Sequence, residues 1–254
     1  MEPDRGARAE RLAPYFEAQL RLAHRMAELT GMGLGEAARA HTNLHRRLGL
    51  GVPLHFPPSP EWRAYAQALE AARGLEAQLA LTCDAFRTAR EETTPLPGQE
   101  RFGCFAFEPP NDTGAVKIHF YNRDTDAAGG PLATAKIARR RGDLAAMVRR
   151  IVEAHPAATH IVGRSWLYNL EAYRRLFPPE YAASRAPAPG PLHLSGTSSW
   201  GQLIDSREAI RSEVRDAFVA NLATLDPERP WTAFPQRVLA VKAPLEAFTR
   251  FYGT

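Results

Sequence analysis

Apolar positions in the first 95 residues recur at helical spacing. Leu12, Phe16, Leu20, Ala23 and Ala27 follow at intervals of three and four, with Leu22, Met26 and Leu29 beside them. That period turns one face of a helix toward a core. Gly31 is a stop signal. Leu34, Ala37, Ala38, His41, Leu44 and Leu48 then make a second helical face, closed by Gly49 and Gly51. The four prolines between Val52 and Pro60 predict a loop, and Pro60 stands where a helix can begin. Trp62, Tyr65, Leu69, Leu75, Leu79 and Phe86 predict one long helix, or two broken near Gly74. The Pro- and Thr-containing stretch Glu91 to Gly98 reads as a linker.

The pattern changes after that stretch. Phe102 to Phe107 is short and aromatic, and Val116 to Phe120 alternates apolar with polar. The turn-forming Pro-Pro-Asn-Asp-Thr-Gly between them predicts an antiparallel hairpin. A loop over 122–134 precedes an amphipathic helix over 136–154, with Leu144, Met147, Val148 and Ile151 on one face. Further strands are predicted at His160 to Gly163, Leu192 to Leu194 and Arg237 to Val241. Helices are predicted at Tyr168 to Phe177, over 203–225, and at the end as far as Tyr252. The fold class expected is α+β or α/β: a helical region over 1–95, then a mixed β-sheet flanked by helices over 96–254.

Composition narrows the function classes. No apolar run approaches the ~18 residues of a membrane helix. The charged start MEPDRGARAE lacks the apolar stretch of a secretory signal, so a cytoplasmic protein without a membrane partner is expected. Cys83 and Cys104 are too few for a disulfide framework or a four-cysteine zinc site, and they are expected to be unpaired. The net charge of +4 is unevenly placed. Residues 1–98 balance 12 basic against 12 acidic side chains, whereas 136–175 hold nine basic and three acidic. A local excess of that kind suits a small phosphate-bearing ligand or a nucleic acid.

Several residue groups carry candidate chemistry. His119 ends a predicted strand and alternates with Ile118 and Phe120, so it faces away from them and suits a general base. Lys136, Arg139, Arg140 and Arg141 crowd near a helix start, where the macrodipole disfavours cations and a bound anion would relieve the conflict. Arg164, Arg174 and Arg175 follow the next strand and are expected to converge on the same anion. Gly163-Arg164-Ser165-Trp166-Leu167 approaches a hydrolase nucleophile elbow, with a serine hydrolase as a third alternative, but has Leu167 where that motif needs Gly; the other reading of Ser165 is a helix cap or packing residue. Ser198 lies in a Ser/Gly/Thr stretch before the predicted long helix, and either caps it or offers amides to an anion. His41 and His45 share a helical face but lack the Glu and third ligand of a metal site, so no metal is expected. Arg164, Trp166, Tyr168, Tyr173 and Arg174 interleave aromatic with basic side chains, as in single-strand binders.

Residues 136–177 resemble the acetyl-coenzyme-A-dependent GNAT N-acyltransferases. Arg139-Arg140-Arg141-Gly142-Asp143-Leu144 stands at the family's pyrophosphate loop, with Leu144 in place of its second small residue. The strand, helix, strand order follows. Asn169-Leu170-Glu171-Ala172-Tyr173 matches the family's Asn-x-x-Ala and nearby Tyr. The resemblance implies acetyl-CoA or another acyl-CoA as cofactor, with pyrophosphate held by Arg139, Arg141 and Gly142. It implies Asn169 near the thioester, Tyr173 or Tyr168 as acid for the leaving thiolate, and transfer to a small amine, with His119 as its base. The competing class is a binding or regulatory protein, docking a partner through its helices and an anion or nucleic acid through its basic face.

Overall fold

The structure, a computed structural model, describes residues 5–50, 57–89, 100–196 and 198–254. The predicted linker at 91–98, most of the loop after Gly51, and Thr197 lie outside the described residues. The chain divides into two compact units, Met1–Glu92 with Gly190–Pro235, and Thr93–Pro189 with Gln236–Thr254. Spacing alone groups 190–235 with the sheet region. These residues instead belong to the helical unit, because Leu194, Trp200, Phe218 and Phe234 are buried in its core.

The helical unit is built on α1 (Arg5–Thr30), whose stripe of Leu12, Phe16, Leu20 and Ala23 is fully buried. Around it stand α2 (Leu34–His41), α3 (Leu44–Arg47), α4 (Pro60–Ala71) and α5 (Gly74–Thr88). The Ser59 hydroxyl caps α4 by accepting from the Trp62 amide at 3.0 Å, and Pro60 fills the first turn. Ala72 and Arg73 separate α4 from α5, which opens at Gly74 with φ +84°. The predicted helix over 203–225 is shorter than its apolar pattern. Asp205 Oδ1 accepts from the Arg207 and Ala209 amides and holds a turn, with Ile204 bridging Ile210. A side chain that satisfies backbone donors locally competes with helix. The helix α9 therefore begins only at Ser212 and ends at Leu222. Leu192 and Leu194 are buried with His193 exposed between them, but the run is not a strand.

The second unit carries a six-stranded mixed sheet in the order β1-β2-β3-β4-β6-β5. Its strands are β1 (Arg101–Phe102), β2 (Phe105–Phe107), β3 (Ala115–Phe120), β4 (His160–Ser165), β5 (Ala186–Pro187) and β6 (Leu239–Pro244). The expected hairpin is β2–β3, antiparallel, with Phe105 opposite Phe120. Phe105, Phe107, Val116, Ile118, Ile161, Val241 and Ala243 alternate along the strands and share one buried face. Against it pack side chains of α6 (Ile137–Ala154), α7 (Glu171–Arg174), α8 (Pro179–Ala183) and α10 (Leu245–Tyr252). Lys117, Arg164 and Lys242 occupy the other face and are exposed. Among the described residues, no helix is long and apolar enough to cross a membrane.

Candidate functional site

The strands β3 and β4 are parallel neighbours joined through α6, as a βαβ crossover requires. Among the described residues they pair from Ala115–His160 to Lys117–Val162 and no further. Beyond that point Ile118, His119 and Phe120 pair with β2, while Gly163, Arg164 and Ser165 pair with β6. The ladder between the parallel strands thus stops halfway along both.

On the helix side of this point lies a tyrosine cluster. The Phe120 ring stands 5.4 Å from that of Tyr173, which stands 5.2 Å from that of Tyr168. Tyr168 and Tyr181 share a hydroxyl hydrogen bond of 2.8 Å. Both hydroxyls press on Gly163, where a Cβ would meet Tyr168 Oη at 1.9 Å and Tyr181 Oη at 2.4 Å. Glycine in this strand is required by that approach. Burial raises all three tyrosine pKa values well above 10. Their hydroxyls therefore stay protonated, and the proton loss that an acid role for Tyr168 or Tyr173 would need is unfavourable. Tyr168 and Tyr173 were legible in the sequence. Tyr181 was missed, and an isolated Gly163 inside an apolar strand was the signal for close approach.

His119 lies on the opposite face of the sheet from the tyrosines. Its Nε2 is 2.7 Å from Glu108 Oε1, which also accepts from Lys117 Nζ at 3.2 Å. Burial lowers the His119 pKa, Glu108 opposes that and Lys117 adds to it, so the ring is neutral at neutral pH. Burial pushes Glu108 upward, but Lys117 and His119 outweigh it and keep the carboxylate ionised. A neutral ring that donates from Nε2 to Glu108 keeps its Nδ1 lone pair as the base. Glu108 could have been found as the acidic residue opposite Lys117, and so diagonal to His119, once the hairpin register was known.

The basic segment corrects the sequence reading. A 3₁₀ turn at Thr134–Lys136 runs directly into α6 at Ile137. Gly142 is therefore inside the helix, exposed, and does not form a phosphate loop. Arg140 is 1% exposed and is held by Asp124, by Asp143 at 3.0 Å and by Cys104 Sγ at 2.6 Å. Arg139 pairs with Asp124 at 3.1 Å. Lys136 pairs with Asp126 at 3.0 Å and also reaches Asp124. The chain's own carboxylates thus supply the anion that the helix start demanded. The exception is Arg141, which donates to the Arg175 carbonyl at 2.8 Å and lies over the Phe251 ring. Arg175 in turn donates to the Leu132 carbonyl at 3.0 Å, and its buried Nε has no hydrogen-bond partner. Neither guanidinium has a carboxylate partner among the described residues. Of the arginines expected to converge, Arg141 reaches Arg175, through its backbone carbonyl. Arg174 is instead held by Glu171 and the Asn169 carbonyl, and Arg164 by the Pro189 carbonyl.

The remaining candidates have structural partners. Asn169 Nδ2 donates to the carbonyls of Trp166 and Arg237, bracing the segment after β4 against the start of β6. Ser165 Oγ accepts from the Leu167 amide at 3.2 Å and caps a 3₁₀ turn, which is the capping alternative. Ser198 begins a 3₁₀ turn, Ser198–Gln202, that leads into the Asp205 turn, so no long helix starts there to hold an anion. His45 is buried edge-on to Trp62, and burial with Arg46 and Arg39 lowers its pKa to about 4. Among the described residues, no cluster of three His, Cys, Asp or Glu forms a metal site. Comparison with family models, curated proteins and solved structures finds no match for this chain.

Proposed function

We propose that the sheet-bearing unit is an acyl-CoA-dependent N-acyltransferase acting on a small amine. The observation that carries this reading is the halted ladder between β3 and β4. Two parallel strands that part leave backbone edges able to bind an extended, amide-containing chain, as an added strand would. The pantetheine arm of coenzyme A is such a chain. The resemblance over 136–177 would put its cofactor at this strand, helix, strand unit.

The residues present fit the cofactor in part. Arg141 and Arg175 are guanidiniums without carboxylate partners, beside the 3₁₀ turn that opens α6, and the orphaned Nε of Arg175 calls for an acceptor. They replace Arg139 and Gly142 as the residues to hold the phosphates. When bound, the cofactor supplies an activated thioester. His119 takes the amine proton at Nδ1 on one face, with Glu108 fixing its tautomer and favouring the imidazolium that results. Tyr168 and Tyr173 keep their protons on the other face and offer hydrogen bonds there.

Coenzyme A titration followed by thermal melting tests the reading. A ligand that binds only the folded state raises Tm saturably. The acyltransferase reading expects that shift, together with transfer from acetyl-CoA to an amine. An unchanged Tm over millimolar coenzyme A overturns it. Stabilisation by a single-stranded oligonucleotide in its place would favour the nucleic-acid reading.

A further inference from the structure

The face of the sheet that bears His119 has a distinct charge. Lys117, Val162 and Lys242 stand side by side across β3, β4 and β6. Two residues along from Lys117 is His119, and two along from Val162 is Arg164. His160 lies two residues before Val162. By alternation all of these share one face. The strand residues of this face include no acid. The nearest carboxylate, Glu108, is engaged by Lys117 and His119. Lys242 and Arg164 are exposed and have no carboxylate partner among the described residues.

Resting on the acyltransferase reading, we infer that the acceptor is an amine that also carries a carboxylate or phosphate, with its amine at His119 and its anion at Lys242 and Arg164. Neighbouring strands lie about 4.8 Å apart and residues two apart on a strand about 7 Å. Arg164 is one strand from His119, and Lys242 is two strands across and two residues back, so the anion site begins about 5 Å from the base and reaches to about 12 Å at Lys242. That span matches an amine and an acidic group a few bonds apart, with the long Lys242 side chain reaching inward. A polyamine or aminoglycoside brings further positive charges to a face that already holds Lys117, Arg164 and Lys242, and is disfavoured by repulsion.

Matched acceptor pairs test this. Phosphoethanolamine against ethanolamine, and β-alanine against β-alaninamide, differ mainly in the acidic group. Binding by isothermal titration and transfer from acetyl-CoA are both read, with spermidine as the polycationic probe. The expected order is acidic amine over neutral amine over spermidine. Lys242→Ala with Arg164→Gln should weaken phosphoethanolamine binding and raise its KM roughly tenfold more than that of ethanolamine. Lys242→Arg should restore most of the loss. Circular dichroism confirms folding, which these exposed positions should not disturb. A protein that binds coenzyme A and acylates neutral or polycationic amines equally well or better overturns the acceptor inference alone. Absence of coenzyme A binding overturns the reading beneath it. Coenzyme A binding without transfer to any amine, and without phosphoethanolamine binding, overturns both.

Discussion

Asp124, in the loop before α6, ion-pairs with the buried guanidinium of Arg140 on the first turns of that helix. The first turn of α6 contains no acidic residue, although a helix N-terminus favours negative charge. The loop carboxylate supplies that charge from outside the helix. Asp124 does so from a left-handed backbone at φ +69°, a conformation Asp tolerates better than most residues. Arg139 and Lys136 reach the same carboxylate, so Asp124 bridges three cations whose charge Asp126 and Asp143 help to balance.

Asp124→Asn should destabilise the protein by about 3 kcal/mol, because it leaves the buried Arg140 charge only partly compensated. Urea unfolding at neutral pH measures the loss. Combining Asp124→Asn with Arg140→Met should cost less than the sum of the single changes, since the pair is coupled. Additive losses would mean that the two residues act independently.

Glu208 offers a pH test in the helical unit. It accepts from Arg8 Nε at 2.6 Å and from Arg47 Nη1 at 2.9 Å. Burial pushes its pKa up, but the two arginines outweigh that and bring it to about 2 from 4.5. A carboxylate with a lowered folded pKa stabilises fully above the unfolded value, and the contribution fades as pH falls through the folded one. Glu208→Gln should therefore cost roughly 2 kcal/mol at pH 7, with screening at this partly exposed site allowed for. The difference between wild type and variant should shrink from pH 4.5 toward pH 2. A constant difference across that window would contradict the ion-pair account.

Among the arginines of 136–175, the structure separates structural from available charge. Arg141→Gln with Arg175→Gln should weaken coenzyme A binding by about tenfold or more while changing Tm little. Arg139→Gln should leave affinity nearly unchanged, because that exposed side chain is already paired with Asp124. Equal effects from both sets would return the phosphate site to the broader cluster.

The base assignment predicts a pH profile. His119→Asn should lower kcat/KM for amine acylation by about a hundredfold or more. In the wild type the rate should rise with pH through a value below 6.5, since burial and Lys117 outweigh Glu108. Glu108→Gln should move that limb to still lower pH, because it removes the charge that favours the imidazolium. A limb that ignores Glu108→Gln would remove His119 as the titrating group.

Cys83 and Cys104 are both buried and unpaired. Burial raises both thiol pKa values, which suppresses the reactive thiolate. A thiol reagent at neutral pH should label neither in the native protein within minutes, and both after unfolding in guanidinium chloride. Rapid native labelling of Cys104 would contradict its enclosure beside Arg140.

Elements whose signal is local are readable from the chain alone. The stripe on α1, the proline start of α4, the hairpin of β2 and β3 and the apolar face of α6 are all readable from residue spacing, because burial of one face enforces a period. The chain alone also marks His119, Tyr168 and Tyr173. Tertiary structure decided how charges were matched. The same arginine run reads as a free anion site or as a neutralised one, depending on whether Asp124, twelve to sixteen residues earlier than Lys136 and Arg140, folds back onto it. Strand order decided that His119 and the tyrosines lie on opposite faces, and that the β3–β4 ladder ends after Lys117. The assignment of 190–235 to the helical core likewise depended on long-range packing. Loop closure and pairing across distant segments leave no fixed period in the chain, so spacing alone could not reveal them.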